Sequence, residues 1–176
     1  MPKGPFLPEE FTATKFSTAA DKAEFGNHFL RFIDAEWAQA LFTKDFYHRL
    51  SMCFGHIAHC DRATFYETWF TRDQDRLRFL EKTLKWPCWG DPEYTFSDVE
   101  RAIQQEVCKR NDLARYQLRV AEAERATETD TLRRLEAKYR APASQAGDAD
   151  AITVDVIAQE LPSPVIERMP VQASLF

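Results

Sequence analysis

The chain has 176 residues, 44% of them hydrophobic and 13% aromatic, and a formal net charge of −5. That length suits one domain with an appendage, and the acidic balance argues against nucleic acid as the partner of the whole molecule, since no global basic field exists to hold phosphates. No run of about 18 apolar residues could span a membrane, the start MPKGPFLPEEF is no signal peptide, and four cysteines without paired spacing suit a reducing cytoplasm.

Residues 1–16 hold three prolines and predict an arm with at most a helical turn around Glu9 to Thr12. Periodicity begins after Ser17. Phe25, Phe29 and Phe32 recur at i, i+4 and i+7 behind Ala19, Ala20 and Ala23, which predicts a helix over about 18–34. Trp37 and Leu41 predict a second short helix from Glu36 to Phe42. Thr43 is a candidate N-cap for a third, running through Phe46, Leu50 and Phe54 to about His59. Asp61 caps the aromatic segment RATFYETWF, with Phe65 and Trp69 on one face.

Thr71-x-x-Gln74 has the form of a capping box, opening a helix with Leu77, Leu80 and Leu84 inward. The prolines and glycine of KWPCWGDPEY stop it in a loop of Trp86 to Tyr94. Ser97-x-x-Glu100 is a second capping box, and from Asp98 toward Arg140 no Gly or Pro interrupts a long helical stretch. Its first half carries Val99, Ile103, Val107, Leu113, Tyr116 and Val120; its second is almost all Ala, Glu, Arg and Thr until Leu132, Leu135 and Tyr139. The apolar register shifts between the halves, so one continuous coiled coil is not supported, and a core helix that projects into solvent is expected. A self-associating tip would make it the interface of a homo-oligomer.

After Arg140 the composition changes: four of the nine prolines, five carboxylates and one cation, Arg168, predict a flexible acidic tail over 141–176, with weak alternation at Ile152 to Ile157. The fold expected is all-α: an aromatic-rich helical bundle within 17–140, one long projecting C-terminal helix and a disordered tail.

Three places offer chemistry. Arg78, Lys82 and Lys85 form a basic stripe followed by Trp86 and Trp89, and cations beside aromatics are the parts of a single-strand stacking site. Against this, Asp73, Asp75 and Glu81 neutralise the helix and both tryptophans suit a core. In MCFGHIAHCDR, Cys53, His56 and Cys60 fall within about 60° of one another on a helix. Zinc there would take a fourth ligand from Cys88, Cys108 or His28, and would make the chain a metal-dependent nucleic-acid-processing enzyme. The spacing matches no zinc signature, and buried cysteine is common, so core packing is the expected role and no cofactor is expected. Glu36, Asp61 and Glu67 show no partner arrangement, there is no glycine-rich phosphate loop, and nothing else points to an enzyme.

The third place is the pentapeptide QASLF, Gln172 to Phe176. It resembles the linear motif by which bacterial proteins bind the replicative DNA sliding clamp, usually Gln-Leu-Ser/Asp-Leu-Phe. Gln172, Ser174, Leu175 and Phe176 match; Ala173 stands where Leu is usual, which lowers the expected affinity. The resemblance implies an extended peptide whose Leu and Phe fill an apolar pocket while the Gln amide bonds the rim. Separately, the stretch RLSMCFGHIAHCDRATFYETWF resembles, over roughly 45–110, an uncharacterised family of small proteins on proteobacterial integrative and conjugative elements. Together these imply a cytoplasmic, non-enzymatic adaptor that brings a mobile element's protein to the host clamp.

Overall fold

The computed structural model describes residues 4–54, 61–85 and 89–140. Among them are six α-helices, two short 3-10 turns and no strand: α1 Ala19–Asp34, α2 Lys44–Cys53, α3 Arg62–Phe70, α4 Asp73–Lys85, α5 Ser97–Lys109 and α6 Asp112–Arg140. The all-α architecture and the buried aromatic cluster are those expected. No helix of the described residues is long and apolar enough to cross a membrane. The alternating stretch Ile152 to Ile157 and the rest of the tail lie outside the described residues. The chain divides into a unit of 1–134 and a second of 135–176, whose described part is the exposed helical turn and a half 135–140.

Three N-termini are capped by side chains, two of them, by Thr43 and Asp61, as the sequence predicts. Thr18 Oγ1 accepts the Asp21 N–H at 3.1 Å while the Asp21 carboxylate accepts the Thr18 N–H at 2.9 Å, a reciprocal cap on α1. Thr43 caps α2 through the Phe46 N–H, and Asp61 caps α3 through those of Ala63 and Thr64. The two capping boxes expected later in the chain are not made. The Thr71 hydroxyl donates to the Glu67 carbonyl at 2.9 Å, so it closes α3 instead of opening α4. Ser97 is already the first residue of α5, and its hydroxyl donates to the Gly90 carbonyl at 2.9 Å. In both cases position decides: α4 starts two residues after Thr71 and α5 starts at Ser97 itself, so neither hydroxyl stands at the N-cap.

Two further expectations are corrected. No α-helix follows α1 over 36–42: Glu36 and Trp37 sit at φ +52° and +60°, reversing the chain before a 3-10 turn at Gln39–Leu41. The reversal drives the Trp37 indole back into the core, where it is fully buried and lies flat on Phe70, centroids 4.9 Å apart. The long stretch from Asp98 is two helices. It breaks at Arg110 and Asn111, with Asn111 at φ +55°, a left-handed position that asparagine tolerates better than most residues. α2 ends at Cys53, with the Phe54 N–H closing on the Leu50 carbonyl at 2.8 Å; the expected continuation to His59 falls on residues outside those described.

The core is built from rings meeting edge to face. Phe32 contacts Trp37, Phe46 and Phe70, and Phe70 meets Phe79 at 4.9 Å. Such T-shaped pairs add about 0.5–1.5 kcal/mol beyond the area they bury. The segment read as an arm contributes to this core: Phe6 and Phe11 are buried. It is stitched to α1 by Asn27, whose side chain accepts the Phe6 N–H at 3.1 Å and donates to the Phe6 carbonyl at 2.9 Å. The Phe6 ring lies directly on Gly26, where a Cβ would come within 2.7 Å of it.

One polar interaction crosses the same region. Lys22 is completely buried, and its three ammonium protons are met by the carbonyls of Pro92 (2.9 Å) and Thr95 (3.0 Å) and by the Asp98 carboxylate (2.9 Å). Asp98 also accepts the Thr12 N–H at 3.0 Å. A buried charge is tolerated only when paired and fully hydrogen-bonded, and this one is. It ties the N-terminal segment, the first turn of α1, the loop before α5 and the first turn of α5 together.

Candidate functional site

The basic stripe lies on α4 against α3. Arg78 and Lys82, four residues apart and therefore on one face, both stand over the Trp69 ring, Cζ at 5.4 Å and Nζ at 5.0 Å from its centroid. Arg78 is also paired with Asp75. The tryptophan that holds these cations is thus neither of the two singled out from the sequence; it is Trp69, placed there only on a helical face with Phe65. Its spacing from Asp61 marks it as helical, but the approach of α4 depends on a turn at 71–72 that no local pattern reveals. With its ring covered by two cations, Trp69 offers no face for a base to stack on. Trp89, by contrast, is 82% exposed, and Lys85 is exposed at the end of α4; Trp86 lies outside the described residues. Among the described residues the arrangement is a small cationic surface at the end of α4, with Arg78 paired to Asp75.

Of the proposed zinc ligands, Cys53 is buried, while His56, Cys60 and Cys88 lie outside the described residues. Cys108 is exposed on α5. His28 has another use: its Nε2 is 2.8 Å from the Leu41 carbonyl, and its ring stacks on Phe46 at 4.3 Å. Burial holds its pKa below the ordinary value, against the opposing effect of that carbonyl. Among the described residues no group of three His, Cys, Asp or Glu side chains is placed to hold a metal.

A charged cluster not legible in the sequence lies where α6 crosses α4. The Trp37 indole N–H donates to the Tyr116 hydroxyl at 2.6 Å, and that hydroxyl donates to Glu36 at 3.2 Å. Glu36 also pairs with Arg119, which reaches Asp73 at 2.9 Å, and Arg76 bonds both Asp73 (2.7 Å) and the Phe70 carbonyl (2.9 Å). Burial alone would raise the Glu36 pKa, yet the hydrogen bond and charge of Arg119, with the Tyr116 hydroxyl, hold it below the usual carboxylate range. Burial pushes the Tyr116 phenol up, so it stays a neutral donor. Glu36 and Arg119 are 83 positions apart, and no spacing rule could join them. Asp61, likewise without an apparent partner in the sequence, is the N-cap of α3.

Beside this cluster, the start of α4 and the face of α6 carrying Val120, Ala123 and Thr127 border an open groove of about 1080 Å³. Its walls combine Arg72, Gln74, Glu124, Glu128 and the Thr127 hydroxyl with the apolar side chains of Val120, Ala123 and Leu132. The cluster ties the turn at Glu36 and the start of α4 to α6.

The described residues thus define an all-α protein with an aromatic core and a long, exposed final helix. Compared with protein-family models, with curated proteins and with solved structures, the chain gives no match. Gln172, Ser174, Leu175 and Phe176 lie outside the described residues, so their reading rests on the sequence alone.

Proposed function

We propose that this protein is a non-enzymatic adaptor that binds the bacterial replicative sliding clamp through Gln172 to Phe176. The observation that carries the reading is the pentapeptide itself, in which four of five positions fit the clamp-binding pattern. Leu175 and Phe176 supply the apolar anchors, contributing about 3–6 kcal/mol when buried, offset by the ordering of the peptide. That balance corresponds to micromolar binding at one pocket. Ser174 and Gln172 provide the polar contacts at the rim.

The body is suited to an adaptor's role in two respects. Charged side chains of α1, α4, α5 and α6 are used in ion pairs that brace the fold, and the stretch 142–172 would reach about 30 Å as a coil, enough to separate pentapeptide and body. In this reading the helical body is delivered to the replication machinery of a host, where it serves a mobile element. The test is titration of the full chain, and of the chain lacking Gln172 to Phe176, against a bacterial sliding clamp. Saturable micromolar binding by the first and none by the second is expected. Equal binding by both, or binding by neither, would overturn the proposal.

A further inference from the structure

The break at Asn111 gives α6 a heptad pattern of its own. Four of its large apolar side chains are exposed, Leu118, Leu132, Leu135 and Tyr139, and they occupy a single heptad register. Leu118, Arg125, Leu132 and Tyr139 follow at seven-residue intervals, and Ala121, Glu128 and Leu135 lie three residues after the first three of them. Tyr116, the residue by which α6 is anchored to the core, falls on another face. The stripe leaves that anchor untouched.

We infer that this stripe pairs α6 with the α6 of a second copy in antiparallel orientation. In an antiparallel pair the first core position of a heptad on one helix faces the second core position on the other. About a two-fold axis passing between Ala126 and Thr127, Leu118 faces the partner copy's Leu135, Ala121 faces Leu132, and Arg125 faces Glu128. Every apolar layer meets an apolar layer, and the one charged layer on each side of the axis is an Arg–Glu pair. A parallel pair would set Arg125 against its own copy and Glu128 against its own.

From Leu118 to Leu135 the seam is about 27 Å long. A central charged layer in such a seam selects orientation and register more than it adds affinity. The inference is independent of the clamp reading, since it uses only α6.

The test uses the full chain and three variants in sedimentation equilibrium, with circular dichroism to follow helix content. The natural chain is expected to sediment at twice its 20.5 kDa mass. Arg125→Glu sets Glu against Glu128, and Glu128→Arg sets Arg against Arg125, so each single variant should weaken the dimer by about tenfold or more. The two variants mixed should pair with each other, and R125E/E128R together should restore the dimer. A chain that stays monomeric to about 200 μM, single variants that dimerise as the natural chain does, or failure of the mixture to recover would each overturn the proposal.

Discussion

At the scale of single residues, stability rests on a few buried polar groups whose partners are complete. Lys22→Met removes the ammonium but leaves two carbonyls and the Asp98 carboxylate facing apolar surroundings. A loss of about 3–5 kcal/mol is expected, measured by urea denaturation. Tyr116→Phe deletes one oxygen, stranding the buried Trp37 N–H, and is expected to cost about 1–3 kcal/mol by the same measurement. His28 makes stability pH-dependent. Its folded pKa lies below the ordinary 6.5, so the unfolded chain takes up the proton first. The stability contributed by the neutral ring is complete above 6.5 and declines as pH falls through the folded value. His28→Gln should flatten the slope of unfolding free energy between about pH 7 and 5. The carboxylates with lowered values, Asp21 and Glu36, act in the same direction but only at more acid pH.

At the scale of elements, what the sequence could reveal depended on how local the determining interaction is. The starts of α2 and α3 were legible because Thr43 and Asp61 cap within three residues of themselves, and that of α1 through its apolar periodicity; its Thr18–Asp21 cap is equally local but was not singled out. Ser97 and Thr71 carry the same pattern and fail as caps, because α5 starts at Ser97 itself and α4 two residues after Thr71, offsets that depend on the preceding loop and helix and that the pattern does not contain. The break before α6 was hidden, since Asn111 in a left-handed turn leaves no proline or glycine to mark it. That position yields a prediction. Asn111→Gly should leave stability within about 1 kcal/mol of the natural chain, whereas a β-branched Asn111→Val should destabilise by about 1–2 kcal/mol, as read from melting curves. The N-terminal segment gives another. Gly26→Ala places a methyl against the Phe6 ring, so a loss of about 1–3 kcal/mol is expected, together with faster proteolysis near residues 4–11.

At the scale of the whole molecule, fold and function were legible to different depths. The aromatic periodicity that revealed an all-α core is a property of the chain alone. The cluster of Glu36, Asp73, Arg76 and Arg119, by contrast, exists only once helices distant in sequence have met. The basic stripe was visible as a pattern, but its use of Trp69 was not, because that pairing needs α3 and α4 in contact. The proposed clamp contact has a corollary for stability: deleting Gln172 to Phe176 should abolish clamp binding while leaving the melting temperature of the body unchanged. The buried Lys22 has a consequence for how the protein is made. Its carboxylate partner is 76 positions further along the chain, which at a synthesis rate of about 5–20 residues per second is a wait of roughly 4–15 s. Until Asp98 emerges, α1 has nowhere to put its ammonium, and its phenylalanine face stays open to solvent. The nascent N-terminal half is therefore the window in which this chain most needs a chaperone, and slow codons placed before position 98 would lengthen it.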